Sequence, residues 1–190
     1  MASGEDPQPA AVHDLVDRML ARMVDSLGAH AGALLLCGPG GEILAVDVCV
    51  GVPPEFLGSV RRMRVTTEAT DPIVETVRQR HLVWINSGEG LGLRYPKRAM
   101  VFPCLGATAV TPLVTGATTW GALFTMFSEN EPGLDAHARR LLTAAGPCIA
   151  WVLQGVADAG RCRGRSWRRR RRGSSANGRP GRRRTGGRGC

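Results

Sequence analysis

The sequence predicts an α+β fold with a mostly antiparallel sheet, and three segments support this prediction. Residues 12–27 and residues 134–153 each carry apolar side chains at the three- and four-residue spacing of an amphipathic helix. Residues 108–128 contain two apolar runs separated by a turn with Gly116, which is the pattern of a β-hairpin. Helices near both ends of the chain therefore bracket strands that pair with their sequence neighbours.

The first part of the chain predicts one helix followed by a pair of strands. The helix over residues 12–27 has its apolar residues on one stripe and ends at Gly28. Residues 33–37 are apolar, as in a buried strand, and residues 43–50 place most of their apolar side chains on one face. The glycine-rich turn 38–41 joins these segments, so we expect an antiparallel pair.

The middle of the chain predicts a capped helix, a short strand and a long loop. Asp71 is suited to accept hydrogen bonds from the free amides of a first helical turn, and Pro72 suits the next position, so we expect a helix over residues 71–80. Residues 82–85 are typical of a short strand. Residues 87–102 are rich in glycine and mixed charge, and we expect a loop there that covers any ligand site.

The C-terminal part of the chain predicts an interrupted helix and then a tail. Gly146 and Pro147 fall within the helix over residues 134–153, and we expect a kink or a break there because proline lacks the backbone donor. Residues 158–190 consist largely of Arg, Gly, Ser and Pro, which bury too little apolar surface to offset the entropy of ordering. We expect this tail to be disordered and residues 1–10 to be flexible.

The positive charge of the chain is concentrated in this tail. The 190 residues carry a formal net charge of +9, and the pI is about 10.5. Residues 1–160 contain 12 Lys and Arg against 16 acidic residues, whereas residues 161–190 contain 13 Arg and no acidic residue. The folded part is therefore mildly acidic, and only the tail has the charge of a nucleic-acid-binding segment.

Cysteine spacing and hydropathy favour a cytoplasmic protein. The six cysteines form no C-x-x-C pair, and three lie in apolar runs, where a reduced thiol behaves as a small hydrophobe. They are Cys37, Cys49, Cys104, Cys148, Cys162 and Cys190. The N-terminus lacks the pattern of a signal peptide, and no uncharged apolar run reaches the roughly 18 residues needed to span a bilayer. The four histidines have no metal-ligand spacing, so we expect no metal, no cofactor and no membrane partner.

The order and the motifs of these elements resemble GAF domains, the small-molecule sensor modules of signalling proteins. The family's penultimate strand, last strand and closing helix are similar to the segments TAVTPLV, TWGALFTMFSE and LDAHARRLLTAAG. Its opening helix and first hairpin are similar to LVDRMLARMVDSLGAHAGALLLCGPGGEILAVDVCVGVP. The resemblance covers residues 11–157 and implies one sensory domain between the flexible N-terminus and the tail.

The resemblance implies a sandwich with the terminal helices on one face of the sheet and the connecting helices and loops on the other. A ligand, where one exists, lies under those loops. Bacterial members are usually fused to an output module such as a PPM-type phosphatase, a histidine kinase or an RNA-binding module, and we expect no such module within these 190 residues. The Asn-Lys…Phe…Asp-Glu signature of cyclic-nucleotide-binding members is not found, and no cysteine precedes a histidine as in many bilin-binding members. Neither ligand is therefore expected.

The candidate ligand-binding residues fall on the third predicted strand and on the covering loop. They combine planar apolar surface with a cation and polar atoms, as small-molecule sites do. These candidates are Trp84, Arg94, Tyr95 and Cys104. The alternative interpretation is that Trp84 belongs to the core and Arg94 is a solvated surface residue.

The sequence predicts a non-enzymatic sensory or regulatory domain, because no group of residues provides an acid, a base and a nucleophile together. It would bind a small molecule or a partner and transmit the change through its terminal helices to a second copy or an output domain. Some GAF-type proteins reduce free methionine sulfoxide with thiols near the penultimate strand, so an enzyme based on Cys104, with Cys37 or Cys49 as the resolving thiol, is one alternative.

A second alternative is a nucleic-acid-binding protein that acts through its arginine-rich tail. Such a run neutralises phosphates with little sequence preference. The candidate residues are Arg168, Arg169, Arg170, Arg171 and Arg172. The abrupt change of composition near residue 159 equally fits a GC-rich gene that is translated out of frame from that point.

Overall fold

A computed structural model describes residues 8–66, 71–101, 106–128 and 135–174 of the chain. Its helices are α1 (Gln8–Leu27), α2 (Pro54–Val60), α3 (Pro72–Gln79), α4 (Gly88–Arg94), α5 (Pro96–Val101) and α6 (Ala136–Ser174). Its strands are β1 (Ala31–Cys37), β2 (Ile43–Val50), β3 (Arg62–Arg64), β4 (Val83–Ile85), β5 (Thr108–Thr115) and β6 (Thr118–Met126). The expected helices, hairpins and short strand are all present.

The strands form one antiparallel sheet in the order β3-β2-β1-β6-β5-β4. The two hairpins meet in the centre, where β1 pairs with β6 and Leu34 lies opposite Leu123. Close approach of these strands depends on Gly121, which has a φ of +153°. A Cβ atom at this position would lie 1.9 Å from the carbonyl oxygen of Leu35, so only glycine fits.

The two terminal helices cover one face of the sheet, which we call the terminal-helix face. The amphipathic stripe of α1 and the apolar side of α6 pack there against side chains from β1, β2, β5 and β6. The buried residues include Val16, Leu20 and Val24 of α1, Leu142, Ile149 and Ala150 of α6, and Leu34, Val48, Leu113 and Leu123 of the sheet. Alternation of side chains along each strand supplies this face with every second residue.

The connecting helices cover the opposite face, which we call the pocket face. Side chains from α2, α3 and α4, together with Tyr95, pack there against the remaining residues of the same strands. They include Val60, Ile73, Val77 and Leu91 of the helices, and Leu35, Leu44, Val110 and Phe124 of the sheet. The predicted sandwich, with both terminal helices on one face, is therefore confirmed.

The segment over residues 87–102 is more ordered than the loop that its sequence predicts. It contains α4 and α5, separated only by Tyr95. The hydroxyl of Ser87 accepts a hydrogen bond from the amide of Gly90 at 3.1 Å and caps α4. Leu91, which lies within α4, is buried. Capping and burial together offset the low helix propensity of the glycines.

Helix α6 runs from Ala136 to Ser174 as one helix. It is not broken at Pro147, which lies inside the helix and faces solvent, so the carbonyl group that loses its partner there is able to bond to water. Its backbone continues past the part that packs on the sheet as far as Ser174. Arginine has a high helix propensity, and extension of an existing helix fixes one residue for each new hydrogen bond.

The chain divides into two compact units, residues 1–154 and 155–190. The first unit contains the sheet, helices α1 to α5 and the part of α6 that packs on the terminal-helix face. In the second unit the described backbone is the rest of α6, which ends at Ser174.

Candidate functional site

A small cavity lies on the pocket face between the connecting helices and the sheet. It is lined by Val60, Pro72, Ile73, Leu91 and Phe124, and Thr108 and Arg98 also border it, although the surface that faces the cavity is apolar. The cavity and its opening to solvent enclose about 240 Å³ of empty space, but the interior has room for only about one water molecule. The pocket is therefore too small, as it stands, for a ligand larger than water.

The guanidinium group of Arg98 is buried beside this cavity. Only 6% of the residue is exposed. Its Nε donates a hydrogen bond to Oδ2 of Asp71 at 2.5 Å, a second guanidinium nitrogen contacts the same oxygen, and that nitrogen lies 3.4 Å from the sulfur of Met63. Since Asp71 also caps α3 by accepting from the amide of Ile73 at 2.8 Å, Arg98 ties α5 to the start of α3.

Glu75 holds a second set of polar contacts one turn further along α3. Its Oε1 accepts a hydrogen bond from Arg94 at 2.5 Å and lies 3.5 Å from Nε2 of His81, while its Oε2 accepts from the hydroxyl of Tyr95 at 2.7 Å. The residue is 8% exposed, so these donors replace water around a buried carboxylate. Glu75 and Asp71 thus fasten α4 and α5 to α3 at neighbouring points.

Tyr95 is buried at the junction of α4 and α5. Burial raises the pKa of its hydroxyl group, and the hydrogen bond to Glu75 raises that pKa further because the carboxylate stabilises the neutral phenol. The guanidinium carbon of Arg94 lies 5.2 Å from the centre of the Tyr95 ring, within the range of a cation–π contact. The tyrosine is therefore held as a neutral donor.

The structure brings two of the four predicted ligand-binding residues together. Arg94 and Tyr95 both bind Glu75 on the pocket face. Trp84 lies on the terminal-helix face, where its ring contacts Phe127 with centroids 5.6 Å apart, because its neighbours Val83 and Ile85 take the pocket face of β4. Cys104 lies outside the described residues.

Sequence reasoning missed the carboxylates and one of the cations of this site. It identifies Asp71 only as a helix cap, and it places neither Glu75 nor Arg98 among the candidates. A usable pattern was nevertheless present in the sequence. Asp71 and Glu75 are four positions apart on one predicted helix, and Arg94 and Arg98 are four positions apart in the covering segment.

Two cysteines of the first hairpin are placed too far apart to bond to each other. Cys37 lies opposite Leu44 and Cys49 lies opposite Ala33, so four residues of β1, or about 13 Å, separate the two positions along the strand. A disulfide requires Cα atoms within about 7 Å. Burial also raises the pKa of the Cys37 thiol, which disfavours the reactive thiolate.

The exposed side of α6 carries a second apolar stripe. Four residues at spacings of three, four and three lie on one side of the helix and face solvent, which we call the α6 stripe. They are Leu141, Ala144, Cys148 and Trp151. Trp151 is 68% exposed, an unusual position for the largest apolar side chain.

Among the described residues, no group of three or more His, Cys, Asp or Glu is arranged to hold a metal ion. One described helix, over Ala136–Asp158, is long and apolar enough to cross a membrane by length and composition. The buried side of that segment packs on the sheet through Leu142 and Ile149, as core helices with the same composition do. Arg168 to Arg172 lie on the α6 backbone, beyond the residues whose side chains are described.

The chain belongs to the GAF domain family, whose sequence profile matches residues 9–154. The second GAF domain of DevS from Mycobacterium smegmatis is similar in structure, with a TM-score of 0.61, 21% identity and coverage of 82% of this chain and 99% of that domain. A GAF domain/HD domain protein from Geobacter sulfurreducens has a TM-score of 0.63, 17% identity and coverage of 77% and 94%.

The fold also occurs in an enzyme. The type II free methionine-R-sulfoxide reductase from Thermoplasma acidophilum has a TM-score of 0.60, 11% identity and coverage of 77% of this chain and 95% of the reductase. No curated protein sequence matches the chain significantly. The comparisons identify the family and the fold, and GAF domains are in general regulatory modules that bind small molecules.

Proposed function

We propose that this chain is a non-enzymatic, cytoplasmic sensory GAF domain that binds a small molecule on the pocket face and signals through α1 and α6. The α6 stripe is the observation that carries the proposal. A helix that already buries one apolar side against its own sheet needs no second apolar side unless another helix covers it. The partner is a second copy of the chain or the helix of an output domain.

A physical path connects the pocket face to α6 through β5. The hydroxyl of Thr76 on α3 donates a hydrogen bond to the carbonyl oxygen of Val110 at 3.3 Å. Two residues further along β5, the carbonyl group of Pro112 lies so close to Gly146 of α6 that a Cβ atom there would be 2.4 Å from its oxygen. A shift of α3 on ligand binding would therefore move the strand on which α6 rests.

The terminal helices are also neighbours on their face of the sheet. Val16 and Met19 of α1 and Ile149 and Val152 of α6 line one apolar cleft. A ligand that favours one arrangement of the connecting helices would shift the population of arrangements of this helix pair, and a bound partner would respond to that shift.

The oligomeric state of the full chain tests the α6 stripe. The Trp151→Lys substitution places a charge in the stripe, whereas Thr143→Lys adds the same charge at an exposed position of α6 outside it. We expect sedimentation analysis to show a dimer for the wild type and for Thr143→Lys, and a monomer for Trp151→Lys. A wild-type chain that sediments as a monomer at concentrations of about 100 µM, where weak helix pairs associate, would refute the homodimer. Equal behaviour of the two variants would refute the role of the stripe.

Cys148 offers an independent measurement on the same proposal. In a symmetric parallel pair of helices, equivalent stripe residues from the two copies meet at the twofold axis. A short thiol-specific crosslinker should therefore join two chains through Cys148, and the Cys148→Ser variant should lose the crosslink. Crosslinking that persists in this variant would contradict the parallel pairing.

The enzyme alternative is favoured by the reductase of the same fold but not by the described thiols. Burial raises the pKa of the Cys37 thiol, which disfavours the thiolate that a resolving partner of Cys104 needs. An assay with free methionine sulfoxide and a thiol reductant decides the question. Turnover that is lost in Cys104→Ser would overturn the non-enzymatic proposal.

The nucleic-acid alternative depends on the tail alone. Deletion of residues 161–190 followed by measurement of nucleic-acid affinity at two salt concentrations tests it, because phosphate contacts give a steep salt dependence. Equal affinities of the full and shortened chains would remove this alternative.

A further inference from the structure

We propose that the cavity on the pocket face binds a small carboxylic acid with an apolar body, and that Arg98 holds the ligand carboxylate in the place that Asp71 now occupies. The inference rests on the proposed small-molecule function and adds the chemical class of the ligand. It also assigns Asp71 as an internal competitor that keeps the pocket closed when no ligand is bound.

The burial of Arg98 is the first argument. A guanidinium group removed from water is costly unless an anion and further acceptors surround it. Arg98 is 6% exposed and borders a cavity whose inner surface is apolar, next to Val60, Leu91 and Phe124. A structural ion pair needs no adjacent apolar cavity, whereas an acid-binding site needs both a cation and a place for the apolar body.

The geometry of the present partner indicates the chemistry of the ligand. The planar fork of arginine donates hydrogen bonds in a fixed arrangement that matches a carboxylate. Asp71 uses one oxygen for Arg98 and the other for the amide of Ile73, so its carboxylate is shared between two tasks. A ligand carboxylate could offer both oxygens to Arg98 once the Asp71 side chain has turned away from the guanidinium.

The size of the cavity assigns a role to α4 and α5. Room for about one water molecule is too little for an organic acid, so binding requires these two short helices to move. Their attachments to α3 include the contacts of Arg98 with Asp71 and of Arg94 and Tyr95 with Glu75. Exchange of the Asp71 carboxylate for that of the ligand releases the first attachment, which couples occupancy to opening.

Asp71→Asn separates the two tasks of the aspartate. Asparagine caps helices as well as aspartate does, so α3 keeps its start, but the neutral amide no longer competes for Arg98 as a charge. Asp135→Asn is the matched control, because Asp135 caps α6 by accepting from the amide of Ala138 at 2.7 Å. Asp71→Asn/Arg98→Gln removes both charges and leaves no unpaired ion in the core.

The test is calorimetric titration of the full chain with hexanoate, and with hexanamide as the neutral probe of equal length. We expect hexanoate to bind the wild type and Asp135→Asn with equal affinity. Its affinity for Asp71→Asn should be at least about tenfold higher than for the wild type, because one charge-assisted competitor is lost. The double variant should show no binding. Thermal melting of each variant confirms that it is folded.

Three results would overturn the inference: no binding of hexanoate to Asp71→Asn, equal affinity of that variant and the wild type, or hexanamide binding as tight as that of hexanoate. These outcomes are independent of the sedimentation test of the α6 stripe. If the stripe test succeeds and hexanoate fails, the sensory function stands and the ligand class is wrong. If hexanoate behaves as expected and the stripe test fails, the ligand class stands and the route of signalling is wrong.

Discussion

Replacement of Gly146 by alanine tests the contact between α6 and β5 on which the proposed route of signalling depends. The new Cβ atom would lie 2.4 Å from the carbonyl oxygen of Pro112 and 2.9 Å from Cγ2 of Thr111. Ordinary contacts of a Cβ atom begin near 3.4 Å, so α6 would have to move away from the strand by about 1 Å. The backbone oxygen has no side-chain rotation with which to avoid the clash.

The size of the effect follows from two opposing terms. Overpacking of a tight interior typically costs about 1–3 kcal/mol, and a clash with rigid backbone belongs near the upper end, at about 3 kcal/mol. Replacement of glycine by alanine inside a helix returns about 1 kcal/mol. We therefore expect Gly146→Ala to lower the free energy of unfolding by about 2 kcal/mol, which corresponds to a fall in Tm of about 4–8 °C.

Gly155→Ala provides the matched control on the same helix. A Cβ atom at this position would meet no neighbouring atom within 4 Å, so only the gain in helix propensity remains. We expect a rise of about 1 kcal/mol in the free energy of unfolding, or about 3 kcal/mol between the two variants. Thermal and urea unfolding followed by circular dichroism measure both changes. A Gly146→Ala variant that is as stable as Gly155→Ala would refute the close approach of α6 to β5.

Two further predictions concern buried hydroxyl groups. Oγ1 of Thr111 is buried without a hydrogen-bond partner among the described residues, so Thr111→Val should raise the free energy of unfolding by about 1 kcal/mol. The hydroxyl of Thr125 donates a hydrogen bond to the carbonyl oxygen of Ala109, so Thr125→Val should lower the free energy of unfolding by about 1 kcal/mol. Chemical unfolding of both variants checks the opposite signs, and stabilisation by both would contradict the assignment of Thr125. Tyr95 is the only tyrosine of the chain, and its raised pKa means that the folded state keeps a proton that the unfolded state loses above a pH of about 10. Its contribution to stability is therefore complete below that pH and decreases as the pH rises further. Ultraviolet titration should show tyrosinate forming at higher pH in the native chain than in urea. Coincident titrations of the two states would refute the buried hydrogen bond to Glu75.

Most of the secondary structure was predictable because it depends on short-range patterns. The stripe of α1, the hairpin around Gly116 and the cap at Asp71 each involve residues within a few positions of one another. The segment over residues 87–102 was less predictable, because burial of Leu91 by distant strands stabilises helices that the glycines alone would not form.

The candidate site was predictable only in part, and the reason is geometric. Tyr95 and Arg94 are recognisable as polar groups in a covering segment, but their common partner Glu75 lies 20 and 19 positions away in the sequence. Trp84 is close in sequence to the covering segment, and for that reason sequence reasoning assigns it to the same site. The register of β4 turns its side chain to the opposite face.

The sequence by itself determined the order of the elements, the family and the concentration of positive charge in the tail, since these properties depend on residue type and local spacing. Only the tertiary structure decided which side chains share the pocket face, that Arg98 is buried against Asp71, and that α6 has a second apolar stripe exposed to solvent. Contacts between residues far apart in the chain depend on strand register and helix rotation, and a rotation of one residue on either element exchanges an inward for an outward side chain.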